Sequence, residues 1–143
     1  GEIQKLKNLI DKNNLNDYVL LLGFVNKFNH SLLLRKCNLF IAPFYNSINF
    51  SSNLSNKFIE AIQYNLPILT PLEKDVAKFI LKNKIGYLYE ENNHLDLEEK
   101  IKNLINKPRQ MKLIKKNLQK LSNNEFSHNK NYSKFLNIIN NFN

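Results

Sequence analysis

Asn53, Leu54, Ser55 and Asn56 open a segment that reaches Glu60 one helical turn later, and this is where residue types and spacing in the chain offer chemistry. Ser55 is a suitable N-cap, so residues 54–64 read as a helix whose first turn presents backbone N–H groups without intrahelical acceptors. Such a start favours an anionic group. Glu60 falls on the polar face with Asn56, Lys57, Gln63 and Tyr64, where a carboxylate can accept two hydroxyl hydrogen bonds. The plainer alternative is a solvated carboxylate paired with Lys57 at i−3. Ser52, Asn53 and Ser55 are equally readable as loop and cap chemistry. His30, His94 and His128 lack partners at metal-ligand or triad spacing and read as surface histidines. Cys37 reads as a small packing residue, not a nucleophile. No residue stands out as catalytic, and no metal site is expected.

The elements around this segment alternate. Residues 2–13 carry Ile3, Leu6, Leu9 and Ile10 at helical spacing. Residues 18–22 form an apolar run ending at Gly23 and read as a buried strand. A short helix over 29–36 precedes a second strand at 38–42, closed by Pro43. Residues 45–53 have no periodicity and read as a long functional loop. After the helix at 54–64, whose apolar face is Phe58, Ile59 and Ile62, Asn65 can take the left-handed conformation that ends helices, and Pro67 blocks continuation. Strands at 67–70 and 86–89 flank a helix over 75–84. Residues 95–106 are amphipathic, and Pro108 starts a helix with Met111, Ile114, Leu118 and Leu121 on one stripe. Residues 126–142 supply a last amphipathic piece. Strands alternating with helices predict an α/β fold, a parallel sheet covered on both faces.

Composition bounds the function. The 143 residues, 43% of them apolar, suit one domain with a sizeable core. A single cysteine excludes a disulfide framework and a Cys-based zinc site. The longest uncharged apolar run, 18–25, is far short of the roughly 20 residues a membrane span needs. The net charge is +9, but 19 of the 21 basic residues are Lys. Nucleic-acid recognition favours Arg and stacking clusters, so no nucleic-acid partner is expected. Residues 108–143, with Lys112, Lys115, Lys116 and Lys120 beside the apolar stripe, form a basic helical segment. It reads as a solvated face, or as a surface drawn peripherally to an anionic membrane.

The run from 54 to 70, Leu-Ser-Asn-Lys-Phe-Ile-Glu-Ala-Ile-Gln-Tyr-Asn-Leu-Pro-Ile-Leu-Thr, resembles the donor-site signature of the glycosyl transferases group 1 family, which has the GT-B architecture. That signature has a small residue or Pro, Lys, an apolar pair, Glu-Ala, an Ala-x-Gly turn and Pro-Val-Ile. Tyr-Val-Leu-Leu-Leu-Gly-Phe-Val at 18–25 is similar to the family's strand and loop ending Leu-Gly-x-Val. Residues 32–44 and 86–97 match two further segments in order.

The resemblance implies a Rossmann-like three-layer α/β/α sandwich, the C-terminal, donor-binding half of a GT-B enzyme. It implies that Glu60 holds the donor ribose, that Ser52, Asn53, Leu54, Ser55 and Asn56 face the diphosphate or sugar, and that Gly23, Phe24 and Val25 line the nucleobase. The implied reaction is retaining transfer from a UDP- or GDP-linked sugar to a saccharide or lipid-linked acceptor, with no obligatory metal or other cofactor. The implied setting is cytoplasmic, or peripheral to the inner face of the membrane. Ser52 stands where the family usually has a Glu, eight positions before Glu60. The family's first strand, with its Arg and Lys for the diphosphate, and its N-terminal acceptor domain are expected before Gly1. The chain therefore reads as one domain truncated at its N-terminus and inactive alone. The rival reading is a non-catalytic, doubly wound α/β binding or regulatory module.

Overall fold

The structure is a computed structural model and describes residues 1–126. Two compact units are distinguished, Gly1–Leu33 and the portion from Leu34 onward, and each is described by itself.

In the first unit, α1 (Glu2–Lys12) begins with Glu2 in its first turn and closes with Lys12 in its last, both favourable to the helix dipole. Asn14 in a left-handed conformation ends it, and the Leu15 N–H returns to the Ile10 carbonyl at 3.0 Å. Of its apolar positions, Ile10 is the buried one. The strand expected at 18–22 does not form. Tyr18 and Val19 donate back to the Leu15 carbonyl in a turn, and Tyr18, Leu20 and Leu22 are more than half exposed. A strand is stabilised by its ladder and its covered face; this run has neither, so its apolar composition alone does not make it one. Helix α2 (Lys27–Lys36) follows.

The second unit is built on a parallel sheet in the order β1 (Phe40–Ile41), β2 (Ile68–Thr70) and β3 (Gly86–Leu88). Phe40 pairs with Ile68, and Ile68 with Gly86. Successive strand residues point to opposite faces. Ile68, Leu69 and Thr70 are each fully buried, so both faces of the central strand are covered, which is the layered α/β arrangement expected. A Cβ on Gly86 would run into the Ile68 carbonyl, so the β2–β3 approach requires glycine there. Thr70 ends β2 with its hydroxyl donating to the Ala42 carbonyl at 3.0 Å and accepting from Leu72 N–H at 3.3 Å, which satisfies a buried polar group.

Parallel neighbours need crossovers. The β1–β2 connection contains α3 (Ile48–Ser52) and α4 (Asn56–Gln63), and α5 (Lys74–Asn83) joins β2 to β3. Helices α6 (His94–Asn106) and α7 (Pro108–Asn124) complete the unit, with Pro108 at the start of α7 as expected. One hydrophobic cluster runs through Phe58, Ile62, Leu69, Ile80, Leu104 and Leu118. Asn65, at φ 55°, ends α4 in the left-handed conformation expected of it.

Two expectations are corrected here. Residues 45–53 are not a structureless loop, because α3 forms within them: the Ser47 hydroxyl accepts from Phe50 N–H at 3.3 Å, and the Phe50 ring stacks on Phe44 at 5.2 Å. Cys37 is exposed rather than packed, since it lies in the short link where the Cys37 N–H closes α2 onto the Leu34 carbonyl. The amphipathic piece expected over 126–142 lies outside the described residues after Phe126, as does His128. Among the described residues no helix is long and apolar enough to cross a membrane.

Candidate functional site

The carboxyl ends of β1, β2 and β3 lie on one edge of the sheet, as parallel pairing dictates, and the loops leaving that edge are where α/β folds place ligands. The β1–α3 loop and the start of α4 belong to that edge. Their shape is set by Asn46. Its Nδ2 donates to the Pro71 carbonyl at 2.9 Å and to Glu91 at 3.2 Å. Its Oδ1 accepts from Glu73 N–H at 2.9 Å and from the Ser51 hydroxyl at 3.1 Å. Its own N–H donates to the other Glu91 oxygen at 3.2 Å. One side chain thus ties the loops that follow all three strands, and Ser51, itself buried, anchors α3 to them.

Beyond α3, Asn53 is extended and exposed, and Ser52 is half-buried. The Leu54 side chain packs on the core, so only its backbone is free for a ligand. Ser55 occupies the N-cap of α4 and its carbonyl accepts from Phe58 and Ile59 N–H groups at 3.0 and 3.3 Å. Its hydroxyl makes no cap bond. Ser55 Oγ is buried and, among the described residues, without a hydrogen-bond partner. The helix start leaves the Asn56 and Lys57 N–H groups without intrahelical acceptors.

Glu60 is half-buried one turn inside α4, and among the described residues its carboxylate has neither an ion pair nor a hydrogen bond. The i−3 pair with Lys57 does not form. The Lys57 ammonium lies instead over the Phe44 ring, 5.1 Å from its centroid, a cation–π contact. Phe58 fixes the other side of α4: it is buried, edge-on to Phe40 at 5.8 Å and tilted against Phe44 at 6.2 Å. The helix start therefore offers free N–H groups, an unpartnered hydroxyl and an unpartnered carboxylate within one turn and a half.

Gly23, Phe24 and Val25 belong to the first unit. Gly23 is at φ 62°, the Phe24 side chain is almost wholly exposed and Val25 is half-buried, so Phe24 is not a core residue. His30 is half-buried in α2, and exposed His94 opens α6. Among the described residues no three His, Cys, Asp or Glu side chains are grouped to hold a metal ion. Asn46, Ser47 and Glu91 were not singled out from sequence. The signal available for them was Ser47 three residues before Phe50, a cap spacing; nothing local points to Glu91.

Three likenesses bear on this arrangement. A family model described as glycosyl transferases group 1 matches residues 1–137. An uncharacterized glycosyltransferase of Methanocaldococcus jannaschii is 28% identical over 119 residues, which are 83% of this chain and 32% of that protein. The solved structure of sucrose-phosphate synthase from Thermosynechococcus elongatus superposes with a TM-score of 0.76 at 16% identity, covering 99% of this chain and 34% of that one. At that identity the structural likeness speaks for the fold alone, the GT-B fold. The chain spans about a third of the length of each of these relatives.

Proposed function

The chain belongs to the glycosyl transferases group 1 family, and from that premise we propose that it is the donor-binding part of a glycosyltransferase acting on a nucleoside-diphosphate sugar. The single observation that carries the reading is the start of α4, where, among the described residues, the buried Ser55 hydroxyl and the Glu60 carboxylate are without partners and flank backbone N–H groups that lack intrahelical acceptors. The diphosphate is anionic and is received by the N–H groups of Asn56 and Lys57, the Ser55 hydroxyl and the exposed Asn53 amide. Glu60 accepts two hydrogen bonds from the ribose hydroxyls. Gly23 to Val25, with the exposed Phe24 ring and open space where Gly23 would carry a Cβ, receive the base, uracil or guanine. Ser52 and Leu54 contribute through position and backbone.

In the transfer the sugar passes with retention to a saccharide or lipid-linked acceptor. The group that must be stabilised is then the leaving diphosphate, on which negative charge develops as the glycosidic bond breaks. The α4 dipole and amides act on that charge, with no metal or further cofactor required of this part. Lys112, Lys116 and Lys120 are exposed on α7, and they suit a transferase working peripherally at an anionic cytoplasmic membrane face.

The test is an NMR titration of the chain with UDP, GDP and ADP, on wild type and Glu60→Ala. The expected result is binding of one diphosphate, with shifts at residues 23–25 and 53–60, weakened at least about tenfold in the variant. Equal binding by both proteins overturns the ribose assignment. Binding without any shift at 53–56 points to the rival reading, a non-catalytic binding module.

A further inference from the structure

A groove with a cavity volume of about 590 Å³ lies between α6 and α7. Leu39, the residue before β1, also lines it. The groove therefore opens at the amino-terminal edge of the sheet, away from the carboxyl edge that carries the α4 start. Ile101, Leu104 and Ile105 recur on α6 at helical spacing, and Pro108 and Met111 on α7 continue the apolar lining. Leu104 is buried, but Ile105 is 69% exposed, and Leu39, Ile101 and Met111 are half-buried. Single exposed apolar residues are ordinary; a contiguous apolar lining open to solvent marks a place where something binds.

The remaining lining is Asn38, Lys112 and Lys115. A lysine covers apolar surface with its stem and keeps its ammonium in water, so both charges stand at the mouth. No Asp or Glu lines the groove. Helix α7 adds Arg109, Lys116 and Lys120 and contains no acidic residue. On α6, Asp96 is paired with Lys100 and Glu98 with Lys102. Glu99, two residues from Ile101 and so off its helical face, accepts from Asn103.

This lining selects a ligand class. A nucleotide or a sugar would bury hydroxyls here with almost nothing to pair them. An aliphatic body with an anionic end finds apolar walls and two ammonium groups, in a volume within the roughly 300–1,000 Å³ of common ligand sites. A free fatty acid needs only one cation. The basic residues instead run on along α7 past the groove, and each Lys or Arg near an anionic bilayer adds attraction. The complement is an extended anionic surface that also offers methylenes.

We propose that the α6–α7 groove seats an anionic phospholipid of a membrane surface, its phosphate on Lys112 and Lys115 and its glycerol-proximal methylenes on Ile105 and Met111. The inference deepens the peripheral-membrane part of the function proposed above and rests on it for its purpose. The lipid is a surface anchor, neither donor nor acceptor. An apolar contact and a basic patch are each weak alone and hold a surface together.

The full chain is floated with vesicles of phosphatidylcholine alone and of phosphatidylcholine mixed with phosphatidylglycerol. The isotope-labelled chain is also titrated, below micelle concentrations, with dihexanoyl phosphatidylglycerol, dihexanoyl phosphatidylcholine, glycerol phosphate and octanoate. The expected result is flotation with the mixed vesicles only. Shifts at Leu39, Ile105, Met111 and Lys112 are expected to be largest with the short-chain phosphatidylglycerol. Ile105→Ser, at an exposed position, lowers flotation at least about fivefold. Lys112→Ala with Lys115→Ala does the same. Lys12→Ala with Lys82→Ala, the same charge taken from α1 and α5, changes it less than about twofold. Absence of flotation, or equal flotation on both vesicles, overturns the proposal. Flotation that Ile105→Ser leaves unchanged, or that the Lys12 and Lys82 pair lowers as much, is diffuse charge attraction and overturns it too. So does an absence of groove shifts with the short-chain phosphatidylglycerol, which needs no variant to read. Groove shifts with octanoate but no flotation assign the groove to a soluble fatty acid and overturn the membrane source. The nucleotide shifts at 53–60 are read in a separate titration, so failure here is distinguishable from failure of the donor reading.

Discussion

Asn46 and Glu91 are joined twice, backbone N–H to one carboxylate oxygen and side-chain amide to the other, each at 3.2 Å. The same Asn46 side chain reaches Pro71, Glu73 and Ser51, so the loops leaving β1, β2 and β3 share one hydrogen-bonded centre. Every polar atom of that amide has a partner, which makes the position intolerant of change.

Asn46→Ala leaves the Glu73 N–H, the Pro71 carbonyl and the Ser51 hydroxyl without their shared partner. The expected cost is about 2 kcal/mol, read as a lower midpoint in urea unfolding. Asn46→Asp keeps the acceptor for Glu73 and Ser51 but sets a second carboxylate against Glu91. Two adjacent carboxylates raise each other's pKa. The Asp variant is therefore expected to be weakest at neutral pH and to recover toward wild type as the solution is acidified and one of the pair takes up a proton. A pH series of unfolding curves on the two variants checks both the size and this sign.

Phe58 is buried where α4 meets the β1 edge, against Phe40 and Phe44. Phe58→Ala opens a cavity under the helix that starts the donor site, and about 3–5 kcal/mol of stability is lost. Much of the unit's stability goes with it, and calorimetry reads the change as a lower and broader transition. Phe58→Leu, which refills much of the space, is expected to recover most of the loss.

Acid sensitivity has a local source in the first turn of α6. Asp96 accepts from Lys100 Nζ at 2.8 Å and from Glu90 N–H at 2.8 Å, and these two bonds hold its carboxyl below the ordinary carboxylate range. A depressed folded pKa stabilises the fold at any pH above the unfolded value of about 3.9. That contribution is lost as pH falls through the lower folded value. Asp96→Asn removes it at all pH, so the wild-type and variant unfolding curves are expected to lie apart at neutral pH and to converge in acid. Curves that stay equally apart at low pH contradict the assignment.

Much of this architecture is legible in the residues themselves. Helices α1, α5, α6 and α7 announce their periodicity, and Pro108 and Asn65 mark a start and a stop that the backbone keeps. The three sheet strands are short apolar runs bounded by Gly and Pro. The run at 18–22 has the same composition and forms no strand, because strand formation depends on a ladder that no local pattern specifies. The α3 helix was hidden for the opposite reason. Its residues have no apolar period; a Ser47 cap, a stacked Phe50 and the long-range bonds of Asn46 and Ser51 hold it instead. At the site itself, Glu60 and the α4 start could be found from the order of residue types. That Lys57 would turn to Phe44 and leave Glu60 unpaired could not, since Phe44 is brought there by the fold.

Ser55 separates stability from binding more cleanly than any other position at the site. A serine at an N-cap ordinarily contributes about 1 kcal/mol through its hydroxyl, and replacement by alanine forfeits it. Here the hydroxyl makes no cap bond and is buried without a partner among the described residues. Burying an unsatisfied hydroxyl is itself unfavourable, so Ser55→Ala is expected to leave the free chain as stable as wild type or slightly more so. If a diphosphate oxygen is the missing partner, the same change weakens nucleotide-diphosphate binding by about tenfold. Thermal unfolding measured with and without saturating UDP or GDP tests both at once. The variant melts at or above the wild-type temperature alone and gains less from the nucleotide. An ordinary cap would show the reverse, a lower melting temperature alone and an unchanged gain.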